Sequence, residues 1–313
     1  MALYFIRRLG WAVGVLLLVA LATFALTYVV PADPARVIAG LRASQADVDR
    51  ISHALGLDQP FLAQLGAYVL RVLRLDFGHS YVQNRDVLPL ILERVPATLQ
   101  LAGGGLLVSL GIGIPLGVLA AARRGSWIDR SAMILAVILV AAPSFWVGYL
   151  LINLLAFRPL MAWGIGIFPI TGYAPYDLRY LALPALTLGF AGAAYYARLT
   201  RAVMLEEINR DYVRTARSKG LTERRVRWRH AFRNALGPIL TQVGLDLGLF
   251  LGGVVVVERI FSWPGMGKLA VDSIVDIDIP LIMGTVLLGT LCIVFANLAV
   301  DMANAFLDPR IRH

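Results

Sequence analysis

The densest chemistry-bearing stretch runs from residue 198 to 233. Lys or Arg stands there at 198, 201, 210, 214, 217, 219, 224, 225, 227, 229 and 233, against the acids Glu206, Glu207, Asp211 and Glu223. Such an excess of cations suits anionic headgroups, nucleic-acid phosphates or an acidic protein surface. Farther on, Gln242 and Asp246 stand four residues apart in an apolar run, so a helix places them on one face. A carboxylate in that setting costs about 2.5–3.5 kcal/mol to insert. It therefore either lines a wet translocation route or hydrogen-bonds a neighbouring helix. Gly265-Met266-Gly267-Lys268 imitates a phosphate loop, but the glycine five positions before Gly267 and the Ser or Thr after the lysine are missing. His53, His79, His230 and His313 form no pair at helical ligand spacing, and the single Cys292 permits neither an intrachain disulfide nor a cysteine cluster. No metal site and no catalytic constellation is expected.

The elements that must position these groups are membrane helices. Of the 313 residues 58% are hydrophobic and 16% charged, with mean hydropathy +0.72, whereas soluble domains carry about a quarter charged residues. The net charge of +9 fits loops that obey the positive-inside rule and names no ligand by itself. Apolar runs at 9–30, 97–122, 131–157, 181–199, 239–257 and 281–306 are long enough, at about 1.5 Å per residue, to cross roughly 30 Å of hydrocarbon. The first follows Arg7 and Arg8, exceeds a signal-peptide core in length and lacks a clear cleavage site, so it reads as a retained helix with a cytoplasmic N-terminus. Residues 31–96 are mixed in composition, with helical patterning over 48–57 and 60–75, and read as an extracytoplasmic cap; their seven arginines do not force a long loop inside. The expected organisation is therefore 1–30, an N-terminal segment and first span; 31–96, the cap; and 97–313, a five-helix core with a basic loop at 202–237.

Further expectations follow span by span. Gly103, Gly104, Gly105, Gly111, Gly113 and Gly117 suit close helix packing rather than phosphate binding. Arg123, Arg124 and Arg130 mark a cytoplasmic turn, and Trp163, Phe168, Tyr173, Tyr176 and Tyr180 suit the far interface. Glu258, Asp272, Asp276 and Asp278 form an acidic outer rim that is solvated or meets a protein. Asn297 and Asp301 anchor the last span near the cytoplasm.

Within the basic loop, Val213 and Ala216 share a side while Arg214, Arg217 and Ser218 face elsewhere. Gly220 suits the left-handed end of a helix. Thr222 then caps a second helix with Glu223 in its first turn. That helix presents Val226, Trp228, Ala231, Phe232 and Leu236 until Gly237 and Pro238 close it. A solvated loop explains the arginines but not the length, the turn or the apolar positions. A DNA-reading helix pair has similar grammar, but here both ends are tied to the membrane, so no nucleic-acid partner is expected. A docking element seated in a partner's groove explains all three features.

Arg214-Thr215-Ala216 followed by Gly220, and Arg229-His230-Ala231-Phe232-Arg233-Asn234-Ala235 downstream, resemble the coupling loop of ABC-importer permeases of the dipeptide, oligopeptide and nickel family. The resemblance extends through Tyr4-Phe5-Ile6-Arg7-Arg8, Leu55-Gly56-Leu57-Asp58-Gln59-Pro60, Asp76-Phe77-Gly78-His79-Ser80, Pro96-Ala97-Thr98-Leu99, Pro143-Ser144-Phe145-Trp146, Phe261-Ser262-Trp263-Pro264-Gly265-Met266-Gly267 and Asp308-Pro309-Arg310. It implies an all-α polytopic fold of six transmembrane helices, the type I importer permease fold, in a bacterial inner membrane with both termini cytoplasmic. It implies as partners a second homologous permease, two ATPase subunits that carry ATP and magnesium, and an extracytoplasmic solute-binding protein; the chain itself binds no cofactor and hydrolyses nothing. The ATPase contact falls on Arg214, Thr215, Ala216, Arg217, Gly220 and Leu221, and Gln242 with Asp246 is a candidate path. The family's Glu-Ala-Ala is Arg-Thr-Ala here, and its Leu-Pro falls on Phe232-Arg233, which removes any salt bridge argued from the family glutamate. The implied function is inward transport of a peptide or similar small solute. The alternative is an ion-gradient transporter with Asp246 as ion site. No residue separates peptides from nickel chelates, haem or glutathione.

Overall fold

The computed structural model describes residues 2–29, 35–36, 44–56 and 58–307. Leu57, the Asp308-Pro309-Arg310 motif and the side chain of Asp301 lie outside what is described. The elements in order are α1 (Ala2–Val29), α2 (Gln45–Leu55), α3 (Phe61–Leu73), β1 (His79–Ser80), β2 (Arg85–Asp86), α4 (Val87–Leu92), α5 (Val95–Ala122), α6 (Trp127–Ala141), α7 (Ser144–Leu151), α8 (Arg158–Trp163), α9 (Leu178–Ile208), α10 (Asp211–Ser218), α11 (Glu223–Arg225), α12 (Phe232–Ile260), α13 (Met266–Val275) and α14 (Ile279–Leu307). π-turns at Ile152–Phe157 and Val226–Ala231 join α7 to α8 and α11 to α12.

Among the described residues, five helical stretches are long and apolar enough to cross a bilayer: Arg7–Ala25, Val87–Ala122, Ser144–Trp163, Leu178–Ile208 and Ile279–Leu298. The remaining expected span, 239–257, falls inside α12, whose 29 residues measure about 43 Å at the helical rise. The run 131–157 is not one helix. Pro143 disfavours helical geometry at the residue before it, and Ala142 is extended at ψ 128°. α6 ends there, and the stretch of spanning length starts at Ser144.

The chain divides into two compact units, Met1–Pro96 with Gly265–Leu298 and Pro309–His313, and Ala97–Pro264 with Ala299–Asp308. In the second, α9 is the central helix and packs on α6, α7 and α12. α5 meets it along a ladder of small residues. A Cβ on Gly113 would come within 2.6 Å of the Ala193 carbonyl oxygen, and one on Gly117 within 2.6 Å of that of Ala197. Gly105 lies equally close against Leu188, and the buried Ser109 hydroxyl donates to the carbonyls of Gly105 (2.8 Å) and Gly189 (3.0 Å). Positions 105, 109, 113 and 117 recur every four residues, so they form one face. The packing reading of these glycines holds for that face and for Gly104, where a Cβ would meet Ala185 and Leu181 at 3.2 Å. Gly103 and Gly111 point elsewhere, with nothing within 4 Å of where a Cβ would sit.

At the Ala97 end of α5, buried Trp263 donates its indole N–H to the Ala97 carbonyl at 2.8 Å, and Tyr173 meets its ring edge-on at 4.7 Å. Glu258 is fully buried beside it and accepts from the Thr98 hydroxyl at 2.7 Å. The expected acidic rim is therefore corrected. Within the first unit, Asp278 is also buried and accepts from the Ser80 hydroxyl, and Asp272 pairs with Lys268 at 2.8 Å. Among these four acids only Asp276 is exposed and without such a contact.

The first unit seats α1 against α3, where Phe24 stacks on Tyr68 at 5.3 Å and the Tyr68 hydroxyl lies 3.1 Å from that of Thr23. Val87, Leu90 and Ile91 of α4 form a second cluster with Met266, Leu269, Leu281 and Leu288.

Candidate functional site

α10 is amphipathic over two turns. Val213 (0% exposed) and Ala216 (5%) insert into a cluster formed by Val118, Ala121, Tyr196, Met204, Val226, Ala231, Ala235 and Ile239. The helix ends as its sequence dictates. Gly220 adopts φ +75°, which costs an L-residue energy but not glycine. The Leu221 N–H then reaches back to the Ala216 carbonyl (3.4 Å) and the Gly220 N–H to that of Arg217 (2.9 Å), the paired bonds of a Schellman stop. Leu221 folds onto the same apolar cluster. Arg217 and Glu223 close the turn from outside at 2.8 Å, and this guanidinium holds the Glu223 carboxyl below its ordinary range. Thr222 occupies the cap position of the next helix, but its side chain makes no capping bond.

Of the expected contact residues, Arg214, Thr215, Arg217 and Gly220 are exposed, whereas Ala216 and Leu221 seat the helix on its own bundle. Arg214 is 79% exposed and pairs with Asp211 at 3.5 Å. Trp228, expected among the apolar positions, is instead 48% exposed, edge-on to Phe232 at 5.2 Å.

The second helix does not close at Gly237 and Pro238. α11, the π-turn and α12 run on from Glu223 to Ile260 with Pro238 inside. Proline removes one backbone bond there, but Ala231, Ala235 and Ile239 on that stretch are fully buried in the cluster, and packing overrides the local preference. On the other side, α9 reaches Ile208, and Arg210 in the short link to α10 pairs with Glu206 (2.8 Å) and Glu207 (3.0 Å). α10 is thus held between two long helices with almost no slack.

A bidentate pair braces this end. Arg201 on α9 donates to both oxygens of Asp129, at 2.5 and 2.8 Å, and Asp129 also accepts from the Gly125 N–H at 2.9 Å. The Arg201 guanidinium, followed by the Gly125 N–H, holds the Asp129 carboxyl down to about 2 against the burial that would raise it. Higher up, Asp246 accepts from the Tyr196 hydroxyl and from the Gln242 amide, both at 2.8 Å, tying α12 to α9.

Residues 113–313 match the family model described as the inner membrane component of binding-protein-dependent transport systems, and residues 1–102 match the N-terminal model of such membrane components. The chain belongs to this family. It is 42% identical over 98% of both chains to a protein of Brucella abortus (strain 2308) that carries the name of a peptide transport system permease. It is 39% identical over 99% of both chains to the glutathione transport system permease protein GsiC of Salmonella typhimurium. Among solved structures, the inward-facing MetNI methionine ABC transporter superposes with TM-score 0.54 at 20% identity over 71% of this chain and 97% of that one. An amino acid ABC transporter solved with histidines gives 0.51 at 18%, over 69% and 93%; both likenesses speak to the fold. The permease is an all-α, multi-pass inner-membrane component of an ABC importer, a transport part rather than a catalyst.

Asp129 is not among the candidates that the sequence offers. Ser126-Trp127-Ile128-Asp129 carries the S-x-x-D signature of a helix start, and Ser126 does accept from the Asp129 N–H at 3.3 Å. That signal locates the helix; Arg201, 72 positions on, is invisible to it.

Proposed function

We propose that this permease forms half of a pore through which a peptide or similar small solute moves inward, driven by ATP hydrolysis on two partner ATPases. The partners are a second homologous permease, those ATPases with their ATP and magnesium, and an extracytoplasmic binding protein; the termini and the 202–237 loop face the cytoplasm. The observation that carries this reading is the seating of α10. Its apolar face is spent on its own bundle, its turn is closed by backbone bonds and an ion pair, and Arg214, Thr215, Arg217 and Gly220 remain outward. A partner that grips this face moves α9 and α12 with it, because a short link on one side and the four-residue Gly220 turn into the helix from Glu223 on the other leave little slack. Relatives named for peptide and glutathione transport support the solute class.

An ion-gradient mechanism through Asp246 finds less support, since both its oxygens already accept internal hydrogen bonds. We assign Asp246 and Gln242 to holding α12 against α9. The test is affinity purification of the tagged chain in mild detergent, followed by an ATP hydrolysis assay and uptake in vesicles. Co-purifying ATPases and ATP-dependent peptide uptake are expected. Recovery of the chain alone, with uptake driven by a proton or sodium gradient, would overturn the proposal.

A further inference from the structure

A cavity of about 460 Å³ opens in the first unit between α3, the turn after it, the hairpin and the start of α14. One wall is apolar, with Phe24, Leu70, Phe77 and Met283. The other is polar, with Gln59, Arg71 and Asp76 exposed and Tyr81 half-buried, and among the described residues some of its groups have no protein partner. The Arg71 guanidinium makes no ion pair or hydrogen bond, nor does the Tyr81 hydroxyl or the Gln59 side-chain amide. Burial raises the Tyr81 hydroxyl above its ordinary value, so it stays a donor at neutral pH. Asp76 spends one oxygen on the Gly78 N–H at 3.0 Å and keeps the other.

These groups have a shared chemistry. Arg71 and Tyr81 are donors suited to a carboxylate, and charge-assisted bonds of this type are the strong ones. Asp76 supplies the opposite charge for an ammonium. The apolar wall takes a side chain, and the volume matches that of small-molecule sites. Arg71 and Asp76 both line the cavity and are exposed, so a solute entering from solvent reaches both charges. We infer that this cavity is a subsite for a short zwitterionic peptide, with its terminal carboxylate on Arg71 and Tyr81 and its apolar side chain against Phe24 and Phe77. The inference rests on the peptide reading above and adds a contact in the cap segment, outside the core helices.

The test uses the complete importer with its binding protein in proteoliposomes, carrying Ala67→Cys, on the cavity wall, in a Cys292→Ser background. Ala-Phe and its C-terminal amide are the probes, and maleimide labelling of the new thiol is the readout beside uptake. Ala-Phe is expected to slow labelling several-fold while the amide does not, and Arg71→Gln is expected to abolish that protection. The same variant should raise the half-saturating Ala-Phe concentration for uptake about tenfold. Arg74→Gln, exposed just beyond the same helix, serves as the neutral control, and Arg71→Lys should restore part of the effect. Normal Ala-Phe uptake with no protection at position 67, or equal protection by a membrane lipid and the peptide, overturns the subsite alone. Absence of Ala-Phe uptake by the unsubstituted importer overturns the peptide reading and the subsite with it.

Discussion

Glycine does two different jobs in this chain, and the contrast separates what holds the bundle together from what the bundle presents. At Gly113 and Gly117 the limit is space: backbone oxygens stand 2.6 Å from where a Cβ would sit. At Gly220 nothing lies within 4 Å and the limit is the dihedral, φ +75°. The α5–α9 contact is therefore fixed by atoms touching, as expected where helices associate in lipid without a hydrophobic drive between them. The α10 turn is fixed by backbone geometry, which leaves its outer face unencumbered. One region is built to stay put, the other to be gripped.

The largest effect expected from this contrast is at the tight face. Gly117→Leu meets backbone on two sides, through Ala197 and Arg201, and should cost more than about 3 kcal/mol, seen as loss of monodisperse protein in detergent. Next comes Asp129→Asn, which leaves Arg201 without its bidentate partner. Because the Arg201 side chain keeps 27% exposure, the loss should be nearer about 2 kcal/mol than the full cost of breaking a buried pair, and a thermal melt reads it. The same pair gives a pH signature. The Asp129 carboxyl is depressed in the folded state, to about 2, so its contribution is present above the ordinary aspartate range and is lost as pH falls from about 4 toward 2. A melt series over that range should fall more steeply for the native chain than for Asp129→Asn.

At the turn, Gly220→Ala should cost only about 1–2 kcal/mol, since the strain is conformational, yet it should impair ATP-dependent uptake more than stability. The smallest effects sharpen the contrast from below. Thr222→Ala should change stability by less than about 0.5 kcal/mol, unlike a working cap, because its side chain makes no capping bond. Gly111→Ala, with open space around it, should be neutral or slightly stabilising in the same melt. A large loss at Gly111 would mean that the glycine face has been drawn on the wrong side of α5.

The sequence made the membrane helices legible because each is a long apolar run, and it made the α10 stop legible because Val213, Ala216 and Gly220 all lie within eight residues. What it hid depended on distance or on competition. Glu258 and Asp278 read as surface acids because their partners, Thr98 and Ser80, lie 160 and 198 positions away. The break at Ala142 and the continuity through Pro238 went opposite ways for the same residue type. Buried apolar side chains flank Pro238 in the cluster, while exposed Val140 and Ala141 precede Pro143. For the site, the outward arginines were readable as charges; that Ala216 and Leu221 turn inward required the fold.

The most direct measurement combines Arg214→Glu with Arg217→Glu in the tagged chain and asks what co-purifies. The outward-face account predicts near-native folding, because both side chains are exposed and Arg217 gives up only a surface pair with Glu223. It also predicts that the ATPase subunits are lost from the eluate and that ATP-dependent uptake falls with them. Stoichiometric ATPases in the eluate of the doubly reversed variant, with uptake intact, would contradict it.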